Sequence, residues 1–375
     1  MAKVKFGDVV KDVKINVDRT NNPYERYIAG DHMDSEDLTL RRWGHFATDD
    51  VGPAFIRIFK PGQVLYGSRR TYLKKVAVAH FEGITANTTF VLETKDDNIF
   101  AQRLLPFLML SENFTNYSIR KSKGSTNPYV LFSDLADYEF ELPSIEEQRV
   151  LADKLWTAYE LKEAYKKMIA ATDEMVKSQF IEMFEDHNYT SVPLAELIDK
   201  SFPGEWGTED ENGNGTKVIR TTNITNSDKL DLSDVVTRNI VAAKLQKKQL
   251  CRGDILLERS GGTKDNPVGR VAYFDEDGVF VTNNFTQTLR CNNNIESRYL
   301  FYFLYYFYNL NKMKIRSMGN QTTGIQNLNM DDYMQISVIV PPRDLQKRFI
   351  SIVTQADKSK LVLLQIVKSL NYNIN

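Results

Sequence analysis

The chain is written twice. A repeat at about half the 375-residue length obliges the fold to be two similar units rather than one. Near the end of the first half stands Leu142-Pro143-Ser144-Ile145-Glu146-Glu147-Gln148-Arg149, and near the C-terminus Val340-Pro341-Pro342-Arg343-Asp344-Leu345-Gln346-Lys347. Pro143 pairs with Pro341 and Gln148 with Gln346, both at an offset of 198. A helical pattern follows each motif in the same register. It runs through Leu151, Leu155, Ala158, Lys162, Tyr165, Ile169 and Thr172 in the first half, and Phe349, Val353, Ala356, Lys360, Leu363, Val367 and Leu370 in the second. The same offset maps one set onto the other, down to the single lysine in each apolar stripe. Steps alternating between four and three average about 3.5 residues, the seam of a coiled coil, so these residues are expected to pack helix on helix.

The ends of the two helices are also marked. Ser144 followed by Glu147 is a capping box, and Pro342 suits a first helical turn. The first pattern continues through Val176, Phe180 and Phe184, which predicts a helix of roughly 60 Å; the second, to about Tyr372, predicts somewhat under ~50 Å. Upstream, weaker correspondences keep the same order. Val4–Val10 resembles Val192–Ile198, Arg26-Tyr27-Ile28 resembles Lys217-Val218-Ile219, and Pro61-Gly62-Gln63-Val64-Leu65 resembles Arg252-Gly253-Asp254-Ile255-Leu256. Thr85-Ala86-Asn87 matches Thr282-Asn283-Asn284, Gly124 falls near the place of Gly319, and Asp137-Tyr138 near that of Asp332-Tyr333. The offset drifts from 188 to 198, as loop insertions between shared elements would cause. Each half thus reads as strands and loops, a short helix (about 100–112 and 296–310), a loop, a strand and a long helix. The expected fold class is mixed α/β (α+β), a pseudo-twofold tandem repeat. Residues 1–142 and 186–340 form its globular parts, and 143–185 and 341–375 two long antiparallel helices of coiled-coil type.

Composition narrows the function classes. No apolar run approaches the roughly 20 residues needed to span a bilayer; the longest, Leu300–Tyr308, is short and rich in tyrosine. The opening MAKVKFGD has no apolar signal core. Two cysteines, Cys251 and Cys291, build no disulfide framework, and four scattered histidines (32, 45, 80 and 187) offer no metal-ligand spacing. A soluble, cytoplasmic protein without metal or cofactor in this chain is expected. The net charge of −1 and pI near 6.5 lack the usual basic footprint of nucleic-acid binding, so any affinity for DNA must come from charges gathered on one face.

Catalytic motifs are missing in kind. Asn21-Asn22-Pro23-Tyr24 and Thr126-Asn127-Pro128-Tyr129 each lack the second proline of an adenine-methyltransferase motif, and no glycine-rich strand-turn-helix accompanies them; both read as turns. Gly261-Gly262-Thr263-Lys264 lacks the spacing of a phosphate-binding loop. No nuclease carboxylate set or nucleophile elbow stands out.

The repeat, together with residues 139–149 (EFELPSIEEQR) and 336–348 (ISVIVPPRDLQKR), resembles the specificity subunits of type I restriction-modification systems. The resemblance covers the whole chain and implies a non-catalytic, sequence-specific DNA-binding subunit of a phage-defence complex. Two target-recognition domains, 1–142 and 186–340, would each read half of a bipartite asymmetric double-stranded site. The helices 143–185 and 341–375 would set the spacing. Two adenine-N6 methyltransferase subunits would dock on the chain, with nuclease/translocase subunits joining through them. S-adenosylmethionine and ATP/Mg would belong to those partners, and no membrane is involved.

On that reading the DNA contacts fall on two basic or polar loops per half. In the first they are Ser68, Arg69, Arg70, Lys74 and Lys75, then Arg120, Lys121, Lys123 and Ser125. In the second they are Arg259, Ser260 and Lys264, then Lys314, Arg316, Asn320, Gln321 and Thr322. Arginine forks suit guanine edges, asparagine and glutamine suit adenine edges, and lysines and hydroxyls suit phosphates. His32 and Asn223, aligned at offset 191, are open to either a DNA contact or a structural hydrogen bond. The competing readings are a coiled-coil scaffold for protein ligands, which would lack salt-dependent DNA affinity, and a stand-alone methyltransferase, which would bind S-adenosylmethionine.

Overall fold

The computed structural model describes residues 2–18, 21–185, 188–225, 229–263, 266–322 and 325–374. They form two compact units: Met1–Met168 with Val362–Asn375, and Ile169–Leu361. Each unit is an α+β assembly of the same plan, so the expected fold class holds.

In the first unit, Ala2–Lys5 pairs antiparallel with Glu139–Leu142, which fastens the chain start to the strand leading into the long helix. Ser191–Pro193 does the same for Ser337–Ile339 in the second. A four-stranded antiparallel sheet follows. Its order is Val10–Asp12, Thr89–Thr94, Val64–Gly67, Val76–Val78 in the first unit, and Ile198–Pro203, Thr286–Cys291, Ile255–Glu258, Val271–Tyr273 in the second. The central strands are almost continuously buried, as at Val64–Tyr66 and Ile255–Leu257, which is why they read as short apolar runs. A second sheet is built around one parallel pair, Arg26–Ile28 with Gly83–Ala86, and Thr216–Ile219 with Phe280–Thr282. Its edges differ. Phe55–Phe59 flanks Gly83–Ala86 in the first unit, whereas Thr208–Glu209 extends the opposite side, beyond Val236–Asn239, in the second.

Small polar devices recur under different residue names. The turn into the central strand has glycine at φ +86° (Gly62) and +93° (Gly253), a left-handed conformation that glycine adopts without a Cβ penalty. The next residue closes it: Gln63 Oε1 accepts from Lys60 N, and Asp254 Oδ2 from Cys251 N, both at 2.8 Å. The Pro-x4-Gln motif has a similar explanation. Gln148, with 0% exposure, accepts from Ala101 N at 2.9 Å and donates to the Pro143 carbonyl at 2.9 Å and that of Ile99 at 3.0 Å. Gln346, equally buried, accepts from Glu296 N at 2.9 Å and donates to the Pro341 carbonyl at 2.8 Å. Each carboxamide joins the strand end, the segment entering the short helices and the first turn of the long helix.

The expected single short helix per half is two, broken by a kink. Leu105–Leu110 is followed by Glu112–Lys121 with Ser111 capping the latter, and Ser297–Leu310 by Lys312–Ser317. The long helices are Ile145–Phe184 (40 residues) and Arg343–Ile374 (32 residues). The Ser144 capping box is present: Ser144 N–H donates to Glu147 Oε2 at 2.9 Å, and Glu147 N–H to Ser144 Oγ at 3.3 Å. Those bonds hold the Glu147 carboxyl below its ordinary range.

In the second unit the end of the central helix and the start of the C-terminal helix lie side by side and run in opposite directions. Phe180 and Phe184 stand 5.4 and 5.6 Å from Phe349, and Lys360 Nζ reaches Asp173 Oδ1 at 2.7 Å. Phe349, Val353 and Ala356 are buried as the seam predicts, while Tyr165, Ile169, Leu363 and Val367 are half-buried. The start of the central helix corrects the expected register. Leu151 is 43% exposed and Ala152 and Tyr159 are buried instead, with Leu155 and Ala158 half-buried. There the helix turns its face to the first unit, where Trp156 packs on Phe107 at 5.1 Å and donates to the Arg103 carbonyl at 2.9 Å.

Two outcomes test this packing. Gln148→Leu strands an N–H and two carbonyls in the interior and is expected to cost about 3 kcal/mol of stability, read as a lowered thermal midpoint. Phe349→Ala should cost roughly 3–5 kcal/mol, against less than about 0.5 kcal/mol for Leu151→Ala; equal losses would restore the register read from the sequence.

Candidate nucleic-acid interface

In each unit the two loops singled out from the sequence meet at the end of the central strand. In the first, Ser68 N–H donates to the Thr88 carbonyl at 3.1 Å, and the Ser68 carbonyl accepts from Val130 N at 2.9 Å. Arg69 then pairs with Tyr129, and Tyr129 with Lys123. In the second, Arg259 N–H donates to the Phe285 carbonyl and its carbonyl accepts from Leu328 N, both at 2.8 Å. Ser260–Gly261 then pairs with Ile325–Leu328, and that strand with Gly319–Thr322. The same junction is made from unlike residues: a strand end, a neighbouring turn and a hairpin beside it.

What the junction displays differs. In the first unit Arg69, Arg70, Arg120, Lys121 and Ser125 are exposed. Arg120 and Lys121 stand on the last turn of Glu112–Lys121 rather than in the expected loop, where cations oppose the negative helix end; Lys121 Nζ lies 5.5 Å from the Tyr117 ring. Lys123 is exposed but pairs with Asp134 at 3.0 Å and depresses that carboxyl's pKa. Several residues assigned to the interface are used inside the fold instead. Ser68 is buried with its Oγ on the Thr88 carbonyl at 2.5 Å, Lys74 pairs with Glu36 at 2.9 Å, and Lys75 donates to the Gly30 carbonyl at 2.5 Å. The exposed tyrosines Tyr72 and Tyr129 were not singled out, because nothing in a sequence tells an exposed aromatic in a basic loop from one folded inward.

In the second unit Ser260 is buried and its hydroxyl donates to Asn327 Oδ1 at 2.6 Å. Arg259 is half-buried with Gln287 Oε1 3.5 Å from its Nη1. Lys314 and Arg316 lie on the helix Lys312–Ser317, not in a loop; Lys314 is exposed, 5.5 Å from the Phe307 ring. Asn320, exposed, faces Asn327 across the hairpin, and Gln321 and Thr322 pair with Gln326 and Ile325 in the same register. For Gln321 and Thr322 only the main chain is described, and Lys264 lies outside the described residues. The hairpin thus sets two amide-bearing pairs opposite each other, of which only one strand was marked in the sequence.

His32 and Asn223 resolve as structural. His32 Nδ1 accepts from Ala29 N at 3.1 Å, and Asn223 Oδ1 from Arg220 N at 2.8 Å, the same bond at the same place in the repeat. The first Asn-Pro-Tyr segment has the local bond of a turn, Asn22 Oδ1 accepting from Tyr24 N at 2.9 Å; the second lies in the loop closed by the main-chain bonds between Lys123 and Tyr129, where the Pro128 carbonyl accepts from Arg70 N at 2.7 Å. Among the described residues no cluster of histidine, cysteine, aspartate or glutamate could hold a metal ion, and no helix is long and apolar enough to cross a membrane.

Burial holds the His32 pKa below its ordinary value, and only the neutral ring can accept the Ala29 proton. Its contribution to stability is therefore full above about pH 6.5 and is lost as pH falls through that value toward the lower folded pKa. His32→Asn, which copies Asn223, should flatten the acid loss of thermal stability between about pH 7 and pH 5 relative to the parent.

Comparison with known proteins agrees with this construction. The family described as type I restriction modification DNA specificity domain matches residues 56–170 and again 188–370. The EcoDI specificity subunit of a type I restriction enzyme from Escherichia coli is 24% identical over 205 residues, a match spanning 55% of this chain and 42% of that protein. Among solved structures, a type I restriction-modification system S subunit from M. genitalium shares the fold at TM-score 0.59 with 14% identity, covering 100% of this chain and 93% of that one. A chain from a study of complex assembly and conformational transition in the type I system does so at TM-score 0.58 with 18% identity, covering 100% and 95%. With the domain matched once in each half of the repeat, the chain belongs to the family of type I restriction-modification DNA specificity proteins.

Proposed function

We propose that this chain is the non-catalytic specificity subunit of a type I restriction-modification complex and reads a bipartite, asymmetric DNA site. The observation that carries this is the junction built twice on the same main-chain bonds, at Ser68/Val130/Thr88 and Arg259/Leu328/Phe285, with different side chains on display. A repeated frame offers two reading heads, and unlike surfaces read unlike half-sites. The first presents guanidinium groups at Arg69 and Arg70, suited to guanine O6 and N7; the second presents carboxamides at Asn320 and Asn327, suited to adenine.

Residues 1–142 and 186–340 are the target-recognition domains on this reading, and 143–185 and 341–375 the spacer helices. Two adenine-N6 methyltransferase subunits dock on the chain, and nuclease/translocase subunits join through them. S-adenosylmethionine, ATP and Mg are theirs, and the complex works in the cytoplasm. Distinct domain matches in both halves favour this over a protein-only scaffold or a stand-alone methyltransferase.

The test is DNA selection from a random library by the full chain with its methyltransferase. A split motif with a fixed unread gap is expected. Arg69→Ala with Arg70→Ala should degrade only one half of that motif, by roughly ten- to a hundred-fold in affinity, and leave the other half and the gap unchanged. Equal loss in both halves would argue against reading by separate domains.

A further inference from the structure

The first unit concentrates its backbone strain in one turn. Among the described residues the non-glycine positions with left-handed φ are Glu36 (+55°), Arg70 (+50°) and Lys74 (+46°), and all three meet there. Arg70 and Lys74 flank the single turn Thr71–Leu73. Glu36 N–H donates to the Lys74 carbonyl at 3.1 Å, and its carboxylate pairs with Lys74 Nζ at 2.9 Å. Residues are held in this region only where surrounding contacts over-determine them, and such positions gather at binding sites.

The surrounding contacts are present. Arg70 N–H is fixed on the Pro128 carbonyl at 2.7 Å. Thr71 is buried, with its hydroxyl 3.2 Å from that of Ser122, and Lys75 is tied to the Gly30 carbonyl. These bonds join the turn to both the helix Glu112–Lys121 and the hairpin beside it. What the pinned turn leaves outside is Tyr72, 53% exposed, separated from the exposed Arg69 and Arg70 only by the buried Thr71. An exposed tyrosine alone is ordinary; one set outward by strained backbone on both sides, beside two guanidinium groups, has the character of a contact residue. Position 72 corresponds to Thr263 in the second unit. There Thr263 is bonded to Asn266, donating N–H to its carbonyl at 2.7 Å and accepting from its N–H at 3.1 Å, and offers no ring.

We propose that Tyr72 is a specificity-determining residue of the first unit, its ring lying against a base edge in the half-site that Arg69 and Arg70 address. This rests on the DNA-reading function proposed above. The contact is apolar, of the kind a ring makes with a thymine methyl, and it neutralises no phosphate. It therefore contributes to selectivity without contributing to the salt dependence of binding.

The experiment compares Tyr72→Ala and Tyr72→Phe with the parent chain, each in complex with the methyltransferase, by library selection and by affinity at several salt concentrations. Tyr72→Ala is expected to make one position of the first half-site degenerate and to weaken binding about ten-fold. The second half-site, the gap, the salt slope and the thermal midpoint should be unchanged, and Tyr72→Phe should match the parent. Unaltered selection by Tyr72→Ala, loss in both halves together, or a Tyr72→Phe variant as impaired as Tyr72→Ala would each overturn the assignment. A parent complex that selects no split motif would instead overturn the DNA-reading function itself.

Discussion

Everything in each half hangs from one buried carboxamide. A glutamine side chain with no exposure is tolerated only when both its oxygen and its amide hydrogens are engaged, and here the engagement spans three elements. Gln148 and Gln346 grip the prolyl carbonyl that ends the closing strand and the N–H of Ala101 or Glu296 just ahead of the short helices. Both glutamines stand on the first turn of a long helix. The direction in which that helix leaves its unit is thus set by a polar contact of fixed geometry, which apolar packing alone, being non-directional, would specify less sharply. The proline before it contributes a strand end without an N–H and leaves its carbonyl aimed at the amide.

A second polar layer connects the long helices to loops and to the helix Ser297–Leu310. In the first unit Tyr159 donates to Asp37 at 2.5 Å, and Arg41 holds the other carboxylate oxygen at 2.7 Å. In the second, Asp357 takes Arg298 at 2.8 Å, with Lys229 at 3.8 Å. Tyr159 and Asp357 occupy the same place in the repeat. The lysine three residues later is buried in both: Lys162 lies over the Tyr159 ring at 4.7 Å, and Lys360 pairs with Asp173. The position of the tether is kept while its chemistry has been exchanged, hydroxyl to carboxylate on one side and carboxylate to guanidinium on the other.

These particulars explain what the sequence discloses. The junction motifs and long helices were legible because their jobs need particular side chains: only a carboxamide both donates and accepts at that spot, and only an apolar stripe seals a helix face. The glycine turns were legible for the same reason, since φ near +90° at Gly62 and Gly253 selects glycine. The register at Leu151 was misread because periodicity gives the spacing of a buried face but not which neighbour it meets. One helix here serves the partner helix at one end and a sheet-and-helix core at the other. The basic runs at Ser68–Lys75 and Lys312–Arg316 located the junctions, yet not which cations face water. Lys74 and Lys75 are consumed by Glu36 and a carbonyl far away in sequence, and such pairings leave no local trace.

The junction at Ser68 and Arg259 carries a further consequence. Its bonds run from amide to carbonyl, Ser68 to Thr88 and Val130, Arg259 to Phe285 and Leu328, and every residue type except proline supplies both groups. Apart from the Ser68 hydroxyl, which also donates to the Thr88 carbonyl, both junctions are made of peptide groups. Ser68, Val130 and Leu328 turn their side chains into the interior, while Arg69 and Asn320 beside the junctions stand exposed, so the displayed surface of each half can change while the main-chain mounting stays intact. A serine, a threonine and a valine at one junction, and an arginine, a phenylalanine and a leucine at the other, are what such freedom leaves behind.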